Sequence, residues 1–538
     1  MDHAGPLVAD DPANGPPLDA AGRRWAYAGV LVTLFLSSTN LTVVGTALPR
    51  IIAEFEGFDL YAWAFTGFTL ASTVSTPIYG RLSDVIGRKQ VLMAGVVLFS
   101  LASVAAGFSS SMVQLVALRV VQGLGGGALM SMSFAVIADV FPARERGKYQ
   151  ALSGIVWGAS SVVGPVIGGL ITDLAGWRWV FFVNVPVAVV ALAILMRHLP
   201  AGERRPGAPV DAFGATLLAT GMLSLMLGLS WGGATGWREA RALGTLALGG
   251  GLLAVFAWWQ GRSPAPVLPP SLLRLRTVAI ANSAGFLTGV GLFGATIYLP
   301  LYVQAVAGLS AAASGFALTP LILGMITSGS LAGVASSRTG RYRGYVLAGL
   351  LVAVAGFLGG ATMGPSTPVP AIVGWMLLLG IGLGPTNAMY LVATQSAAPA
   401  RWLGTATSAH QFFRQIGGTL GVALFGALMA QQAVMTFAGD VAPLVDGLPA
   451  AAAATVATPD LLTDPAALAT AAMALSEHGV LAPVLDAWRA GIGRGISTVF
   501  VLSAALAALA WIATWAMPPG VLADRADVHP VAPRDPIS

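Results

Sequence analysis

The stretch Gly80-Arg-Leu-Ser-Asp84-Val-Ile-Gly87-Arg88-Lys89 decides the fold, because it is a short polar break between two long apolar runs. Its carboxylate and three cations are too polar for the interior of a lipid bilayer, where a charged side chain is costly. Ten residues are also too few for a domain. The pattern therefore predicts a tight turn that joins two membrane-spanning helices. The bias of Lys and Arg toward inner loops predicts that this turn faces the cytoplasm.

The composition of the whole chain also indicates a membrane protein. Of its 538 residues, 56% are hydrophobic and 9% are charged, whereas soluble proteins carry about 25% charged residues. Counting apolar runs of sufficient length predicts about fourteen spans. The chain has no cysteine, so disulfides and thiol chemistry are excluded. Its excess of basic residues does not indicate a nucleic-acid partner, because the cations fall at span ends and in inner loops.

An internal repeat divides the spans into two similar halves. The first span ends at Pro49 and the ninth at Pro300, and Gly80 recurs as Gly333. The two members of each pair are separated by nearly the same number of residues, which indicates a repeat. We therefore expect an all-α membrane protein made of two six-helix bundles with two extra helices between them. The expected segments are a tail at 1–24, a bundle at 25–196, a linker with two spans at 197–276, a second bundle at 277–517 with a long external loop at 431–493, and a tail at 518–538. Within the external loop, Asp464-Pro465 is a helix-start signal that predicts a surface helix near 465–490.

A charged residue deep in the fourth span is a functional candidate. Arg119 lies three residues before Gln122, so the two share a helix face. An arginine keeps its charge in a protein, and at that depth such a charge is usually functional. Arg119 could act on a nearby carboxylate, or hold an anion or a water chain. It could also only pin the helix by bonding backbone carbonyls of a neighbour.

Five motifs carry a resemblance to a known family. The Gly80–Lys89 stretch resembles the loop between helices two and three of the major facilitator superfamily. Arg119-x-x-Gln122-Gly123 resembles an element that in this family bears on proton transfer. The strings Trp177–Pro186, Tyr298–Gln304 and Gln411–Gly418 are similar to those of the fourteen-span drug:proton antiporter branch.

The resemblance implies two further sets of functional residues. A motif in the fifth span resembles the element that marks antiporters, and it implies a hinge between the halves at Gly164, Pro165, Gly168 and Gly169. An ion network at the inner side is implied to hold an outward-open state, and the same residues could instead only fix the geometry of the loop. This gating set comprises Gly80, Asp84, Gly87, Arg88 and Asp139.

The first span departs from the pattern of the branch. Asn40 stands where the branch usually carries an aspartate, and an asparagine cannot take up or release a proton. The carboxylates Asp84, Asp139, Asp173 and Asp211 all lie near span ends. Proton coupling would therefore need a group other than the usual acid.

Four further residues are candidates for a central cavity. Trp157, Asn387, Gln411 and Arg414 lie in spans that are expected to face the centre, although each could instead pack between helices. Arg414 is the strongest candidate, because it is charged and well inside its span. Arg414, Arg119, Gln122 and Asn40 are the residues expected to take part in coupling and transport.

The sequence and the resemblance together predict a secondary active multidrug efflux transporter that contributes to antibiotic resistance. Its expected substrates are small amphipathic or hydrophobic compounds, exported by proton antiport through alternating access. One alternative is an exporter of an endogenous lipid or metabolite, and another is a facilitator that is not coupled to protons, as Asn40 would favour. A membrane-embedded enzyme is not expected, because the five histidines do not form a catalytic cluster.

The remaining expectations concern partners and place. No cofactor and no metal is expected, and no ATP-binding loop occurs in the sequence. The expected partners are a small-molecule substrate, protons and the lipid bilayer, with no nucleic acid, and the protein is expected to be a monomer. We expect it in the bacterial cytoplasmic (inner) membrane, with both termini in the cytoplasm.

Overall fold

The protein is all-helical in the computed structural model, which describes residues 19–55, 60–201, 211–235, 239–309, 311–446, 448–457, 462, 465–475 and 479–519. No β-strand occurs in these ranges. Twelve helical segments within them are long and apolar enough to cross a membrane. An all-α membrane protein is thereby confirmed, and the count of about fourteen spans stays a prediction.

The first half of the chain forms a bundle of long helices joined by short connections. They are α1 (Ala20–Phe55), α2 (Tyr61–Ile86), α3 (Arg88–Gly107), α4 (Met112–Val140), α5 (Ala143–Leu174), α6 (Trp179–Phe182) and α7 (Asn184–His198). Two helices follow, α8 (Ala212–Thr235) and α9 (Ala240–Gln260). We call the end of the bundle that carries Gly80–Lys89 the basic end.

The second half repeats this arrangement with additional short helices. Its helices are α10 (Pro270–Leu273), α11 (Arg276–Leu301), α12 (Ala311–Thr339), α13 (Arg343–Ala361), α14 (Val369–Ala397), α15 (Leu403–Thr436), α16 (Ala442–Val445), α17 (Ala450–Ala454), α18 (Pro465–Leu475) and α19 (Leu481–Trp515). Between the halves, α2 packs on α15 and α5 packs on α12.

Two further helices, α2 and α5, are not among the twelve apolar segments but are also long enough to cross a membrane. α2 has 26 residues and α5 has 32, so both exceed the roughly 20 that a span needs. Each packs against the other half, where contact with protein replaces contact with lipid. α2 accordingly carries buried hydroxyl side chains, including Ser72, Thr73, Ser75 and Thr76.

The two extra helices pack together and lie against the line where the halves meet. Leu218 and Met222 of α8 join one buried apolar cluster with Val74 of α2 and Phe412 of α15. Asp211 fixes the start of α8, because its carboxylate accepts the Gly214 N–H at 2.7 Å. The hairpin therefore contacts both halves on one side of the bundle.

At the opposite end, ion pairs hold the helices of the first half to one another. Arg50 pairs with Asp173 at 2.6 Å, which joins α1 to α5. Glu54 accepts hydrogen bonds from Arg178 at 2.8 Å and from the Trp177 indole at 2.6 Å. These bonds from Arg178 and Trp177 hold the pKa of the Glu54 carboxyl below its ordinary value. These contacts lie within one half and leave the relation between the halves unaffected.

The segment predicted as an external loop at 431–493 is largely helical in its described part. α15 continues to Thr436, and α19 begins at Leu481, whereas the sequence predicts that the last span begins near 495. The extension has an apolar face: Val484 and Trp488 are buried in one cluster with residues of α16, α17 and α18. The Trp488 indole also donates to the Val456 carbonyl at 3.1 Å. The helix predicted near 465–490 is confirmed at its start, since α18 begins at Pro465, whereas packing of Trp488 accounts for the early start of α19.

Candidate functional site

Arg119 of α4 is fully buried and joins three helices of the first half. Its Nε donates to the Ala64 carbonyl of α2 at 3.0 Å, and its Nη1 donates to Asn40 Oδ1 of α1 at 2.5 Å. The same Nη1 donates to Gln122 Oε1 at 2.7 Å. The guanidinium also lies over the Phe68 ring, with 4.4 Å to the centroid, as in a cation–π contact. Three of the four residues predicted to take part in coupling and transport, Asn40, Arg119 and Gln122, are thus in direct contact.

The charge of Arg119 is not neutralised by an acid. In the described part of the chain, no carboxylate forms an ion pair with it, and Asn40 occupies the place beside the guanidinium. An arginine cannot lose its proton in a protein. The sequence leaves open whether Arg119 acts on a neighbouring carboxylate or pins its helix to a backbone carbonyl of a neighbour. Among the described residues no such carboxylate is bonded to it, whereas the bond to the Ala64 carbonyl is formed.

Close contact between α2 and α4 places these groups together. A Cβ added at Gly123 would lie 2.9 Å from the Cα of Phe68, and one at Gly127 would lie 2.5 Å from the Ser72 carbonyl oxygen. Only glycine lets the two backbones approach this closely. The glycines after Arg119 thereby bring the Ala64 carbonyl and the Phe68 ring to the guanidinium.

Asp84 connects the two halves at the basic end. Its carboxylate accepts the backbone N–H groups of Gly404 at 2.9 Å and Thr405 at 2.8 Å, and the Thr405 hydroxyl at 2.7 Å. These groups belong to the first turn of α15, whose own N-cap residue, Trp402, makes no side-chain cap. A carboxylate is favourable at a helix N-terminus because the N–H groups there lack partners within the helix. We call this contact between Asp84 and the start of α15 the basic-end latch.

The rest of the predicted gating set surrounds the latch. Arg88 lies 3.5 Å from Asp84 Oδ1 and also pairs with Asp139. The predicted ten-residue turn is wrong in extent, since α2 continues to Ile86 and only Gly87, at φ 97°, separates it from α3. This reversal needs a backbone conformation that favours glycine. Gly80 instead allows close contact with α15, since a Cβ there would lie 2.5 Å from that of Ser408.

A second contact between the halves mirrors the first. A Cβ added at Gly333 of α12 would lie 2.5 Å from the Gly147 carbonyl oxygen of α5. Gln150 donates to Gln395 at 2.6 Å close by. Ser337, which stands where the first half has Asp84, bonds only within its own helix, to the Val334 carbonyl at 2.7 Å. The two contacts are thus related by the internal repeat, but a carboxylate latch is formed in the first of them.

Sequence reasoning missed Gly147 and Gly404, which receive these contacts. A spacing in the sequence could have found them: Arg144 precedes Gly147 by three positions, and Arg401 precedes Gly404 by three. Both pairs lie at the start of a helix that follows a connection at the basic end, α5 in one case and α15 in the other. The repeat therefore extends to the receiving helices, not only to the glycines of α2 and α12.

Two of the glycines predicted as a hinge between the halves pack against α1. A Cβ at Gly168 would lie 2.8 Å from the Val43 carbonyl oxygen, and Gly164 faces Thr42. Both contacts are with α1, inside the first half, and a role of these two residues as a hinge between the halves stays a prediction. Gly169 faces open space, and the side chain of Pro165 lies outside the described residues. Small residues here serve close packing of α5 on α1.

The residues predicted to line a cavity are only partly accessible. Trp157 is 44% exposed and Asn387 is exposed, whereas Gln411 is 3% exposed. Gln411 therefore packs between helices, where its Oε1 accepts a hydrogen bond from Arg414 Nε at 3.3 Å. Arg414 itself is half-buried. One helical turn closer to the basic end, Nδ1 of His410 lies 3.3 Å from Asn282 Oδ1.

The halves also meet near the middle of the helices. Thr73 of α2 donates to Gln415 of α15 at 2.9 Å. A Cβ added at Gly158 of α5 would lie 2.8 Å from a methyl group of Ile322 on α12. Together with the basic-end contacts, these show that the halves are in contact from the basic end to the middle of the bundle.

Comparisons with known proteins agree with this architecture. Residues 30–422 match the family profile described as Major Facilitator Superfamily. "Multidrug transporter protein MdtP" of Bacillus subtilis is 34% identical over 431 residues, which cover 80% of each chain. "Multidrug resistance protein 3" of the same organism is 32% identical and covers 76% of this chain and 80% of the relative.

A solved structure supports the fold independently of the sequence. The proton:xylose symporter XylE superposes with a TM-score of 0.61 at 15% identity, covering 94% of this chain and 98% of that one. At this identity the likeness concerns the fold alone. Taken with the family profile, it shows that the chain is a membrane transporter that belongs to the Major Facilitator Superfamily.

Proposed function

We propose that the protein is a secondary active exporter of small amphipathic or hydrophobic compounds, including drugs, and that it works by alternating access. The observation that carries this proposal is the basic-end latch, because Asp84 of one half holds the first turn of α15 of the other. Rocking of two repeats about a central site must break such a contact in the opposite state. The names of the two bacterial relatives support a drug-export role.

A panel of amphipathic compounds tests this proposal without a named substrate. Purified protein is screened against the panel by thermal shift, and each hit is then measured by counterflow in proteoliposomes. At least one hit is expected to show counterflow. If ligands stabilise the protein but none is carried across the membrane, the export function is refuted.

We further propose that export is driven by the proton gradient. Protonation of Asp84 would remove the negative charge of the basic-end latch, and protonation of Asp139 would weaken its ion pair with Arg88 beside the latch, so either would favour opening. The alternatives are export of an endogenous lipid or metabolite, and transport that is not coupled to protons. Asn40 favours the uncoupled alternative, because the group beside Arg119 does not titrate.

Asn40→Asp separates the coupled from the uncoupled transporter. The substitution places a titratable carboxyl against the buried guanidinium, so the dependence of efflux on the pH gradient is expected to appear or to steepen. Asn40→Ala is the matched control, because it removes the same amide without adding an acid, and it should not change that dependence. Efflux from proteoliposomes with an imposed pH gradient measures both. If efflux depends steeply on the pH gradient and does so equally in wild type and Asn40→Asp, proton coupling uses a group other than residue 40.

We also propose the place and state of the protein. The cations of the basic end favour a cytoplasmic position for that end in a bacterial inner membrane, with both termini on the same side. A monomer is proposed because each half finds its partner within the same chain. A reagent that cannot cross the membrane should label a cysteine at Leu174, which is 78% exposed at the opposite end, in intact cells.

A further inference from the structure

Three buried N–H groups around Arg119 have no protein partner in the described part of the chain. They are Nη2 of Arg119, Nδ2 of Asn40 and Nε2 of Gln122. Both amide oxygens turn toward Nη1 of the arginine, at 2.5 and 2.7 Å, and this fixes both amide nitrogens away from it. In the opposite orientation, an amide N–H donor would face the Nη1 N–H donor of the arginine. Each of these nitrogens therefore belongs to one of three mutually bonded side chains, within a few bonds of Nη1.

Among the described residues, no carboxylate compensates the charge at this place. Arg119 is 0% exposed, and its partners are two amide oxygens, one backbone carbonyl and the face of Phe68. These supply dipoles and a quadrupole but no net negative charge. A buried charge without a counter-charge is strongly unfavourable, and buried charges are normally paired. The site thus combines a net positive charge with donors that lack acceptors.

The size and chemistry of a suitable ligand follow from these features. Arg119 and Gln122 are 0% exposed and Asn40 is 2% exposed, so a drug-sized compound does not fit beside them. Donors and a positive charge exclude a cation. A water molecule would accept hydrogen bonds but would leave the charge unbalanced.

We propose that a small inorganic anion, with chloride as its biological form, binds beside Arg119 and accepts hydrogen bonds from Nη2, Asn40 Nδ2 and Gln122 Nε2. The anion supplies the negative charge that an aspartate at position 40 would otherwise provide. This inference does not depend on the identity of the exported compound or on proton coupling.

Thermal unfolding of the purified full-length protein tests the site. Samples in sodium chloride and in sodium gluconate are compared at equal ionic strength, because gluconate is too large for the site. The Tm of the wild type should rise with chloride and then saturate, as expected for a ligand that binds only the folded state. Asn40→Asp should lose this response, because its carboxylate takes the place of the anion. Gln114→Glu, the same exchange at an exposed position of α4, should keep it.

Two results would overturn the proposal in this assay: a wild type that does not respond to chloride, or an Asn40→Asp variant that responds as the wild type does. If Asn40→Asp fails to fold, bromide gives a second measurement on the wild type. Crystals grown in bromide should show an anomalous peak within hydrogen-bond distance of Nη2 of Arg119. Ordered bromide elsewhere, with no peak at this place, would likewise overturn it.

Discussion

Arg119→Ala is expected to abolish export and to leave the protein folded in the membrane. The substitution removes the group to which α1, α2 and α4 are all bonded, through Asn40, Ala64 and Gln122. The acceptors left behind are neutral, so no unpaired charge is created. Efflux from proteoliposomes should fall to the level of empty vesicles. Size-exclusion chromatography and thermal unfolding verify that the variant is folded.

Two other arginine variants make this experiment specific. Arg119→Lys keeps the charge but replaces a fork of five donors by a point charge, so efflux should remain strongly reduced. Arg50→Ala removes an arginine whose side chain is 59% exposed in an ion pair at the opposite end, and such pairs contribute about 0–1 kcal/mol. It should transport normally. Normal transport by Arg119→Ala would refute the role given to this residue.

Asp84→Ala is expected to open the basic end. The substitution removes three hydrogen bonds to the first turn of α15, and a bond to a charged group contributes about 1.5–3 kcal/mol. The loss of even one such bond would change the ratio of closed to open protein about tenfold. Because the chain has no cysteine, Ser336→Cys supplies a single reporter that is fully buried beside Gly147 in the closed state. Its labelling by a water-soluble maleimide should become about tenfold faster in the Asp84→Ala background.

A matched carboxylate at the opposite end serves as the control. Asp173→Ala breaks the ion pair with Arg50 inside the first half and should leave the labelling rate of Ser336→Cys unchanged. If Ser336→Cys is labelled at the same rate with and without Asp84, the contact of Asp84 with α15 does not hold the halves together. The alternative role left open by the sequence, a fixed loop geometry without gating, would then be the better account.

The sequence predicts the local features of this fold well. A change from apolar to polar residues at Gly80–Lys89 marks the junction of two helices, and a charge at Arg119 inside an apolar run marks a buried site, because both depend on neighbouring residues. The bond from Asp84 to the start of α15 joins positions 320 and 321 residues apart. No local pattern specifies such a partner, although the missing cap at Trp402 leaves the N–H groups at the start of α15 free to donate to it.

The errors have a common physical cause. A helix that is apolar on all sides gives little indication of which face meets which neighbour. The sequence therefore leaves open whether Gln411 lines the cavity or packs between helices, and it gives no indication that Gly164 faces α1. In the segment 431–493, a local helix-start signal correctly predicts the start of α18 at Pro465, while the early start of α19 at Leu481 depends on burial of Trp488 against distant short helices and is missed.

The central claim is that the two halves expose a site to one side of the membrane at a time, and spin labels at both ends test it directly. One labelled pair, Glu145→Cys with Gly344→Cys, spans the basic end, and another, Leu174→Cys with Ser366→Cys, spans the opposite end; all four positions are exposed. Distances from double electron–electron resonance are compared between wild type and the Asp84→Ala variant. The account predicts that the basic-end distance lengthens while the opposite-end distance shortens. Distances that stay fixed at both ends, or that lengthen together, would contradict it.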